Sequence, residues 1–209
     1  MHKLLDPNVK EDVSCLTIVG FGGLGKTALT QLVYNHPRIE ENFPLRLWAC
    51  VGDQDIKGLD VEATLRKILH SATSKNHDHQ SMDHVQKKLR EQLARKKYFL
   101  VLDDIWNEER DQWLELMGFL RGGLKGSWVL VTTRSRLTAT AVGGEIHELK
   151  GLSEHDSWQL FEKLAFREDH EQTTRVELDQ IGREIVKQCA NVPLAIRVVG
   201  TALYGQDKR

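Results

Sequence analysis

Two hydrophobic patterns alternate along most of this chain. The first is a short, continuous apolar run, typical of a strand buried on both faces. It occurs at Leu16–Val19, Leu45–Val51, Tyr98–Leu102, Trp128–Val131 and, more weakly, Ile146–Leu149. Between these runs, apolar residues recur at helical spacing, as in Val61, Leu65, Ile68 and Leu69, and in Val85, Leu89 and Leu93. The alternation predicts an α/β fold, a parallel sheet covered by helices.

After residue 150 only the helical pattern continues. Ser153 can cap a helix whose apolar face holds Trp158, Phe161, Leu164 and Ala165. Two further helices are predicted, one with Leu178, Ile181, Ile185 and Cys189 on its apolar face, and one starting at Pro193 with Ala195, Val198, Val199 and Ala202. We therefore expect two domains, an α/β domain over residues 1–150 and a small all-helical lobe over residues 151–209.

Net charge, apolar stretches and cysteine spacing argue against a nucleic-acid-binding, membrane-spanning or secreted protein. The net charge is −1, from 29 basic and 30 acidic residues, so we expect no electrostatic attraction to nucleic acid or to an anionic membrane. No apolar stretch reaches the roughly 18 residues of a membrane span, and none near the start is typical of a signal peptide. Cys15, Cys50 and Cys189 are widely spaced among apolar neighbours. They predict buried thiols in a reducing compartment, and hence a cytoplasmic protein.

The glycine-rich stretch TIVGFGGLGKTAL, residues 17–29, fits two nucleotide-binding signatures. Gly20, Gly22 and Gly25 match the dinucleotide fingerprint, and Gly20, Gly25 and Lys26-Thr27 match the mononucleotide P-loop. A dinucleotide site requires an acidic residue about 20 positions further on, at the end of the second strand. The nearest acid there is Asp53, about 28 residues after Gly25. The dinucleotide interpretation therefore fits poorly.

The P-loop interpretation makes two further predictions, and the sequence meets both. A lysine after the last glycine reaches the phosphates and the next hydroxyl reaches Mg²⁺; a buried strand ends in an acid that faces the metal, as YFLVLDD does at Asp103 and Asp104. The alternative for the acidic pair is a helix N-cap. The predicted phosphate-binding residues are Gly22, Gly23, Leu24, Gly25, Lys26, Thr27 and Ala28, and the predicted metal ligands are Thr27 and Asp103.

Asp104 is then the candidate catalytic residue, which orients or deprotonates a water. An aspartate is shorter than a glutamate and lies farther from the γ-phosphate, so we expect at most slow ATP hydrolysis. A second interpretation is a P-loop ATPase or kinase with steady turnover. Such an enzyme would carry an acceptor pocket or a glutamate base, and the sequence shows neither.

Six motifs, in order from Cys15 to Tyr204, resemble the NB-ARC domain of plant disease-resistance proteins, the nucleotide-binding leucine-rich-repeat receptors. They are GFGGLGKTAL (P-loop), FPLRLWACVGD, YFLVLDDIW (Walker B), GSWVLVTTRS (sensor strand), HELKGLSEHDSWQLFEKLAF and CANVPLAIRVVG. Trp106, at the end of the Walker B motif, is typical of the coiled-coil class of these receptors. The resemblance implies a P-loop NTPase fold in which the sensor strand lies between the P-loop strand and the Walker B strand.

The resemblance also implies a function. Thr132, Thr133 and Arg134 would lie near the phosphates, with Arg134 sensing the γ-phosphate of ATP, and Pro193 would lie against the adenine. The chain would be an ADP/ATP switch with Mg²⁺ as cofactor, self-associating in the ATP state. Its partners would be the coiled-coil and leucine-rich-repeat domains of a full-length receptor.

Several family features differ or are missing. The usual Gly-Leu-Pro-Leu is Asn191-Val192-Pro193-Leu194 here, and only 19 residues precede Gly20, too few for the segment that usually contacts the adenine. The second helical subdomain is also missing, so the sequence is expected to be a fragment. A third interpretation follows, an interaction fragment that folds but binds no nucleotide.

Three histidines, His77, His79 and His84, lie close together in NHDHQSMDHV. A zinc site would need ordered ligands and support from elsewhere in the chain. We expect instead a polar loop that enters a helix at Ser81.

Overall fold

The computed structural model describes residues 3–5, 11–52, 59–166 and 172–204, with the side chains of Lys3 and residues 172–178 left aside. Asp53, considered above as a ribose-binding acid, lies outside the described residues, as does the side chain of Leu178. In the described ranges, no helix is both long and apolar enough to cross a membrane.

Five strands form one sheet in this part of the chain. They are β1 (Val13–Val19), β2 (Leu45–Cys50), β3 (Tyr98–Asp103), β4 (Ser127–Thr133) and β5 (Glu145–Glu148). Every neighbouring pair is parallel, and the order is β2-β3-β4-β1-β5. The P-loop NTPase-like fold class is thereby confirmed. The strand that carries TTR, β4, lies between β1 and β3, as the resemblance implied.

Helices connect and follow the strands. They are α1 (Lys26–Tyr34), α2 (Pro37–Asn42), α3 (Val61–Thr73), α4 (Met82–Leu93), α5 (Arg110–Leu120), α6 (Arg136–Val142), α7 (Glu154–Ala165), α8 (Gln172–Gln188) and α9 (Pro193–Leu203), and a 3₁₀ turn covers Lys3–Leu5. Side-chain caps fix several N-termini. Asp60 accepts from the amide of Ala63 at 2.9 Å, and Ser153 accepts from that of Asp156 at 3.0 Å, as predicted for α7.

The chain divides into two compact units. The first comprises Met1–Gly20 and Lys26–Glu148, and the second comprises Phe21–Gly25 and Leu149–Arg209. In the first unit every residue of β3 and β4 is buried, because helices cover both faces of a parallel sheet. Its main apolar cluster joins strand residues such as Leu100 and Val131 to helix residues such as Leu65 and Leu116.

The second unit packs its helices around an aromatic core. Trp158 and Phe161 of α7 meet Val186 of α8 and Ile196 of α9. Glycines allow the close approach: a Cβ at Gly182 would lie 2.9 Å from the Phe161 ring, and one at Gly200 would lie 3.0 Å from the Cβ of Leu164.

Two apolar faces in the second unit were predicted partly wrongly. Ile181 and Val198 are 59% and 61% exposed. The core contains Val186 of α8, Cys189 just after that helix and Ile196 of α9, and the predicted residues Ile185, Ala195 and Val199 pack against it. Part of the core-facing side of these helices is formed by Gly182, against the aromatic rings, and Gly200, against Leu164. A hydrophobic pattern does not mark glycines, so the sequence did not show this side.

Two smaller predictions also need correction. β5 begins at Glu145 rather than Ile146, and all four of its residues are exposed because it lies at the edge of the sheet. All three cysteines are free thiols, but only Cys189 is buried, Cys15 is half-buried and Cys50 is exposed at the end of β2.

Candidate functional site

The carboxyl ends of β1, β3 and β4 lie side by side at one edge of the sheet, since adjacent parallel strands end at the same edge. The amide of Gly20, just after β1, donates to the carbonyl of Thr133 at the end of β4 at 3.2 Å. This edge therefore brings together the P-loop strand, the acidic pair and the TTR segment.

Thr27, in the first turn of α1, reaches the last residue of β3. Its hydroxyl donates to the Asp103 carboxylate, 3.0 Å from Oδ2 and 3.2 Å from Oδ1. The Thr132 hydroxyl donates to Asp103 Oδ1 at 2.5 Å. Asp103 is 5% exposed, and these two hydroxyls stabilise a carboxylate that would otherwise be costly to bury.

Asp104 has a different environment from its neighbour. Its backbone has φ = 61°, in the left-handed region that asparagine and aspartate enter more readily than most residues. Its amide donates to the Thr132 hydroxyl at 2.9 Å, so one threonine holds both acids. A Cβ placed on Gly52 would come within 2.9 Å of Asp104 Oδ2 and 3.0 Å of its carbonyl oxygen. Asp104 therefore depends on having no side chain at position 52.

Lys26 is the first residue of α1 and is buried. Its ammonium donates to the carbonyl of Gly20 at 2.7 Å. Burial, followed by the positive charge of Arg134, lowers the pKa of Lys26, while Asp104 and Asp103 act in the opposite direction. Two cations and two carboxylates thus share this edge of the sheet.

Arg134 directly follows β4 and extends over the same edge. Its Nε lies 3.6 Å from Asp104 Oδ1, in a half-exposed ion pair. The guanidinium carbon lies 5.0 Å from the centre of the Trp106 ring, within the range of a cation–π contact.

The glycine loop itself, residues 21–25, belongs to the second unit. Gly23 and Gly25 have φ values of 81° and 89°, which residues with a side chain rarely adopt. The carbonyl of Gly23 accepts from the amide of Leu194 at 3.2 Å. Leu194 is the second residue of α9, directly after Pro193, the first. Of the other predicted phosphate-binding residues, Gly22 and Leu24 are half-buried, and Ala28 is exposed on α1.

The residues present fit a magnesium ion. Mg²⁺ prefers hard oxygen ligands such as hydroxyls and carboxylates. Thr27 Oγ1 and the Asp103 carboxylate are oxygens of this kind, and they lie side by side, 3.0 Å apart, a hydrogen-bond distance.

The histidine segment is arranged differently. The ring of the buried His77 makes hydrogen bonds to Thr73 Oγ1 and Gln80 Oε1 at 2.7 and 2.9 Å, and α4 begins directly after Ser81.

Three features of this edge were not predicted from the sequence. Thr132 was expected near the phosphates, but not as the residue that holds both aspartates. Gly52 lies two residues after β2, and its close approach to Asp104 leaves no local pattern in the sequence. The sequence marks Trp106 only as typical of the coiled-coil class, and it does not predict the contact with Arg134.

The family model described as NB-ARC domain matches residues 1–171. The chain is 38% identical over 205 residues to disease resistance protein RGA2 of Solanum bulbocastanum, and 35% identical over 213 residues to disease resistance protein RPP13 of Arabidopsis thaliana. These alignments cover 96% and 97% of this chain, but only 20% and 24% of the two relatives. The chain thus spans a quarter or less of their length.

Among solved structures, the chain is similar to the origin recognition complex in the structure of Drosophila ORC bound to DNA. The TM-score is 0.55 at 18% identity, and the match covers 96% of this chain and 58% of that one. At this identity the likeness shows a shared fold alone.

Proposed function

Since this chain belongs to the NB-ARC domain family, we propose that it is the nucleotide-binding switch module of a plant disease-resistance receptor. Both relatives are named disease resistance proteins, and the chain aligns with a part of each. In this proposal ADP and ATP stabilise two states of the module, and the remaining domains of the receptor are its partners. The free thiols favour the cytoplasm, where cysteines stay reduced.

The observation that carries the proposal is the set of oxygens around Asp103. The Thr27 hydroxyl, the Asp103 carboxylate and the Thr132 hydroxyl converge at the carboxyl edge of the sheet, and the buried Lys26 lies at the same edge. Such an edge is where open α/β sheets bind ligands. We propose that the amides of Gly22–Ala28 and the Lys26 ammonium bind the phosphates.

Mg²⁺ would be held by Thr27 and Asp103. When bound, the ion neutralises charge on the phosphates and polarises them. Without it, a polyphosphate would bring its negative charge close to Asp103 and Asp104, a repulsion that Lys26 and Arg134 offset only in part.

Arg134 would distinguish the two nucleotides. Its guanidinium can donate to an added γ-phosphate through charge-assisted hydrogen bonds. ATP would thereby bind one state better than ADP does and shift the population towards a state that self-associates. Pro193 would contact the adenine, and Leu194, next to it, bonds to the loop at Gly23.

Asp104 would position the water in a slow hydrolysis that returns the module to its ADP state. One observation supports a slow rate. The side chain is an aspartate, which is shorter than a glutamate and would lie farther from a γ-phosphate.

The first test compares nucleotide binding in the wild type, Lys26→Ala and Lys88→Ala. Lys88 is an exposed lysine paired with Glu91 on α4, and it serves as the matched control. Titration calorimetry with Mg-ADP should show tight binding for the wild type and for Lys88→Ala. Lys26→Ala should bind about 10- to 100-fold more weakly, the usual loss for a charge-assisted hydrogen bond.

Two further measurements complete this test. Denaturing the purified wild type should release ADP, which chromatography identifies. Circular dichroism should show that both variants are folded. Equal affinity of Lys26→Ala and Lys88→Ala would remove Lys26 from the site, and no binding by the wild type would favour the interaction fragment. Steady turnover of ATP above about 1 s⁻¹ would favour the general enzyme.

A further inference from the structure

Trp106 is an exposed tryptophan at the edge that we propose binds nucleotide. It comes three residues after β3 ends and is 43% exposed. A large aromatic side chain contributes most to stability when it is buried. By contrast, Trp113 on the following helix is buried in the core. The core therefore accounts for Trp113 and does not account for the half-exposed ring of Trp106.

The contact that Trp106 makes is with Arg134. The guanidinium carbon lies 5.0 Å from the centre of the indole ring, and indole is the aromatic group that attracts cations most strongly. The Nε of the same guanidinium lies 3.6 Å from Asp104 Oδ1. The ring and the carboxylate together limit where an otherwise half-exposed arginine can go.

This arrangement leaves Arg134 able to change its anionic partner. A cation–π contact uses the face of the planar guanidinium, whereas hydrogen bonds to oxygens use the N–H groups in its plane. The two contacts do not compete, so Arg134 can stay on the ring while its N–H groups leave one oxygen anion for another.

We propose that Trp106 is a positioning residue that holds Arg134 ready for the γ-phosphate of ATP. This inference rests on the proposed nucleotide switch. With ADP, the guanidinium faces Asp104. With ATP, its N–H groups turn to the γ-phosphate oxygens while its face stays on the indole, and the Asp104 carboxylate is released to accept a hydrogen bond from water.

The energetic reason is pre-organisation. A long arginine side chain loses much rotamer freedom when it is fixed, and that loss weakens binding if it occurs only when the ligand arrives. A ring that already restrains Arg134 removes part of this cost in the ATP complex. The ADP complex gains nothing, because ADP offers no γ-phosphate for Arg134 to contact.

The test measures Mg-ATP and Mg-ADP affinities of Trp106→Leu and Trp106→Phe by titration calorimetry. Leucine keeps an apolar side chain and removes the cation–π contact, so ATP affinity should fall about two- to five-fold, the range for an exposed contact of this kind. The affinity for ADP should not change. Phenylalanine restores a ring that attracts cations less strongly than indole, so it should recover part of the ATP affinity.

A double-mutant cycle with Arg134→Ala separates positioning from a structural effect. In the Arg134→Ala background, replacing Trp106 by leucine should no longer change ATP affinity. Equal losses for ATP and ADP, or a loss that persists without Arg134, would overturn the inference. If Trp106→Leu does not fold, Trp106→Phe and its double variant should show the same pattern with a smaller loss of ATP affinity, and a loss that is equal for ADP would overturn the inference.

The same binding measurements distinguish a failure of the proposed nucleotide switch from a failure of the role of Trp106. A wild-type protein that binds neither nucleotide overturns both proposals. A wild type that prefers ATP through Arg134, with no change in Trp106→Leu, overturns only the role of Trp106.

Discussion

Asp103 and Asp104 are adjacent in the chain, and their environments suit them to different chemistry. Asp103 ends a strand and accepts hydrogen bonds from two threonine hydroxyls. Asp104 turns into the left-handed region and pairs with Arg134. The first is a fixed, buried carboxylate suited to a metal, and the second is more accessible and suited to a water. This division supports the roles that we propose for them.

The sequence allowed the acidic pair to be predicted, but not how its two members are held. An apolar run that ends in two aspartates after a P-loop is a local pattern. By contrast, Thr132 lies 29 residues from Asp103 and 28 from Asp104 along the chain. Neither that hydrogen bonding nor the steric limit at Gly52 leaves a local signal. The contacts could be found only once neighbouring strands were placed side by side.

At the residue scale we predict that one of the three thiols reacts much faster than the others. Cys50 is exposed, Cys189 is buried and Cys15 is half-buried. Burial, together with the nearby negative charge of Glu11, raises the pKa of Cys15 to about 12. Only the thiolate is nucleophilic. Ellman's reagent at pH 8 should therefore label one thiol of the native protein rapidly, and Cys50→Ser should abolish that fast phase.

Denaturant provides the control for this prediction, because all three thiols should then react. The raised pKa of Cys15 also makes the stability of the folded protein depend on pH. A raised pKa in the folded state stabilises the protein below the unfolded value of about 8.5, and this contribution is lost as the pH rises towards 12. A fast phase that survives in Cys50→Ser would show that Cys15 or Cys189 is more accessible than described.

At the scale of elements, strands with unbroken apolar runs were the easiest to predict. β3 and β4 were found where the runs predicted them. Both strands extend beyond their apolar runs, and Ser127, Thr132 and Thr133 of β4 are buried although polar. The Ser127 hydroxyl shows why, since it accepts from the amide of Tyr98 and donates to the carbonyl of Leu124. A hydrophobic pattern cannot recognise a polar residue that is satisfied by a distant partner.

We also predict the effect of a side chain at Gly52, where β2 and β3 end side by side. The pairing of these strands continues through a hydrogen bond from the amide of Val51 to the carbonyl of Asp103, which brings Gly52 against Asp104. Gly52→Ala should therefore lower the free energy of unfolding by about 1–3 kcal/mol, as overpacking usually does. It should also slow ATP hydrolysis, because Asp104 must move. Urea denaturation and a single-turnover assay measure the two effects.

Gly118→Ala is the matched control for this substitution. Gly118 lies on the exposed face of α5, and a Cβ there would have no atom within 4 Å. Alanine is favoured over glycine in a helix, so this variant should be more stable by about 0.5–1 kcal/mol. If both variants behave alike, the close approach of Gly52 to Asp104 does not limit position 52.

At the scale of the whole molecule, the fold class could be predicted because it depends on many residues. Alternating strand and helix patterns sufficed for a parallel sheet. The strand order did not follow from these patterns, because they do not show which strands are neighbours. Only the place of β4 between β1 and β3 was implied, by the resemblance of six motifs to one family. The meeting of Thr27 with Asp103, 76 residues apart, depends on that order and follows from no single motif.

The last prediction concerns charge, a property of the whole chain. The net charge bears on whether this chain binds DNA non-specifically. Non-specific binding depends on basic residues that neutralise phosphates, and here 29 basic residues are balanced by 30 acidic ones. We expect a labelled DNA duplex to show no saturable anisotropy change below about 100 µM protein at physiological salt, the weak end of ordinary non-specific affinity. Tighter binding that weakens steeply with added salt would mean that the basic residues form a patch, and that the net charge is a poor guide to this surface.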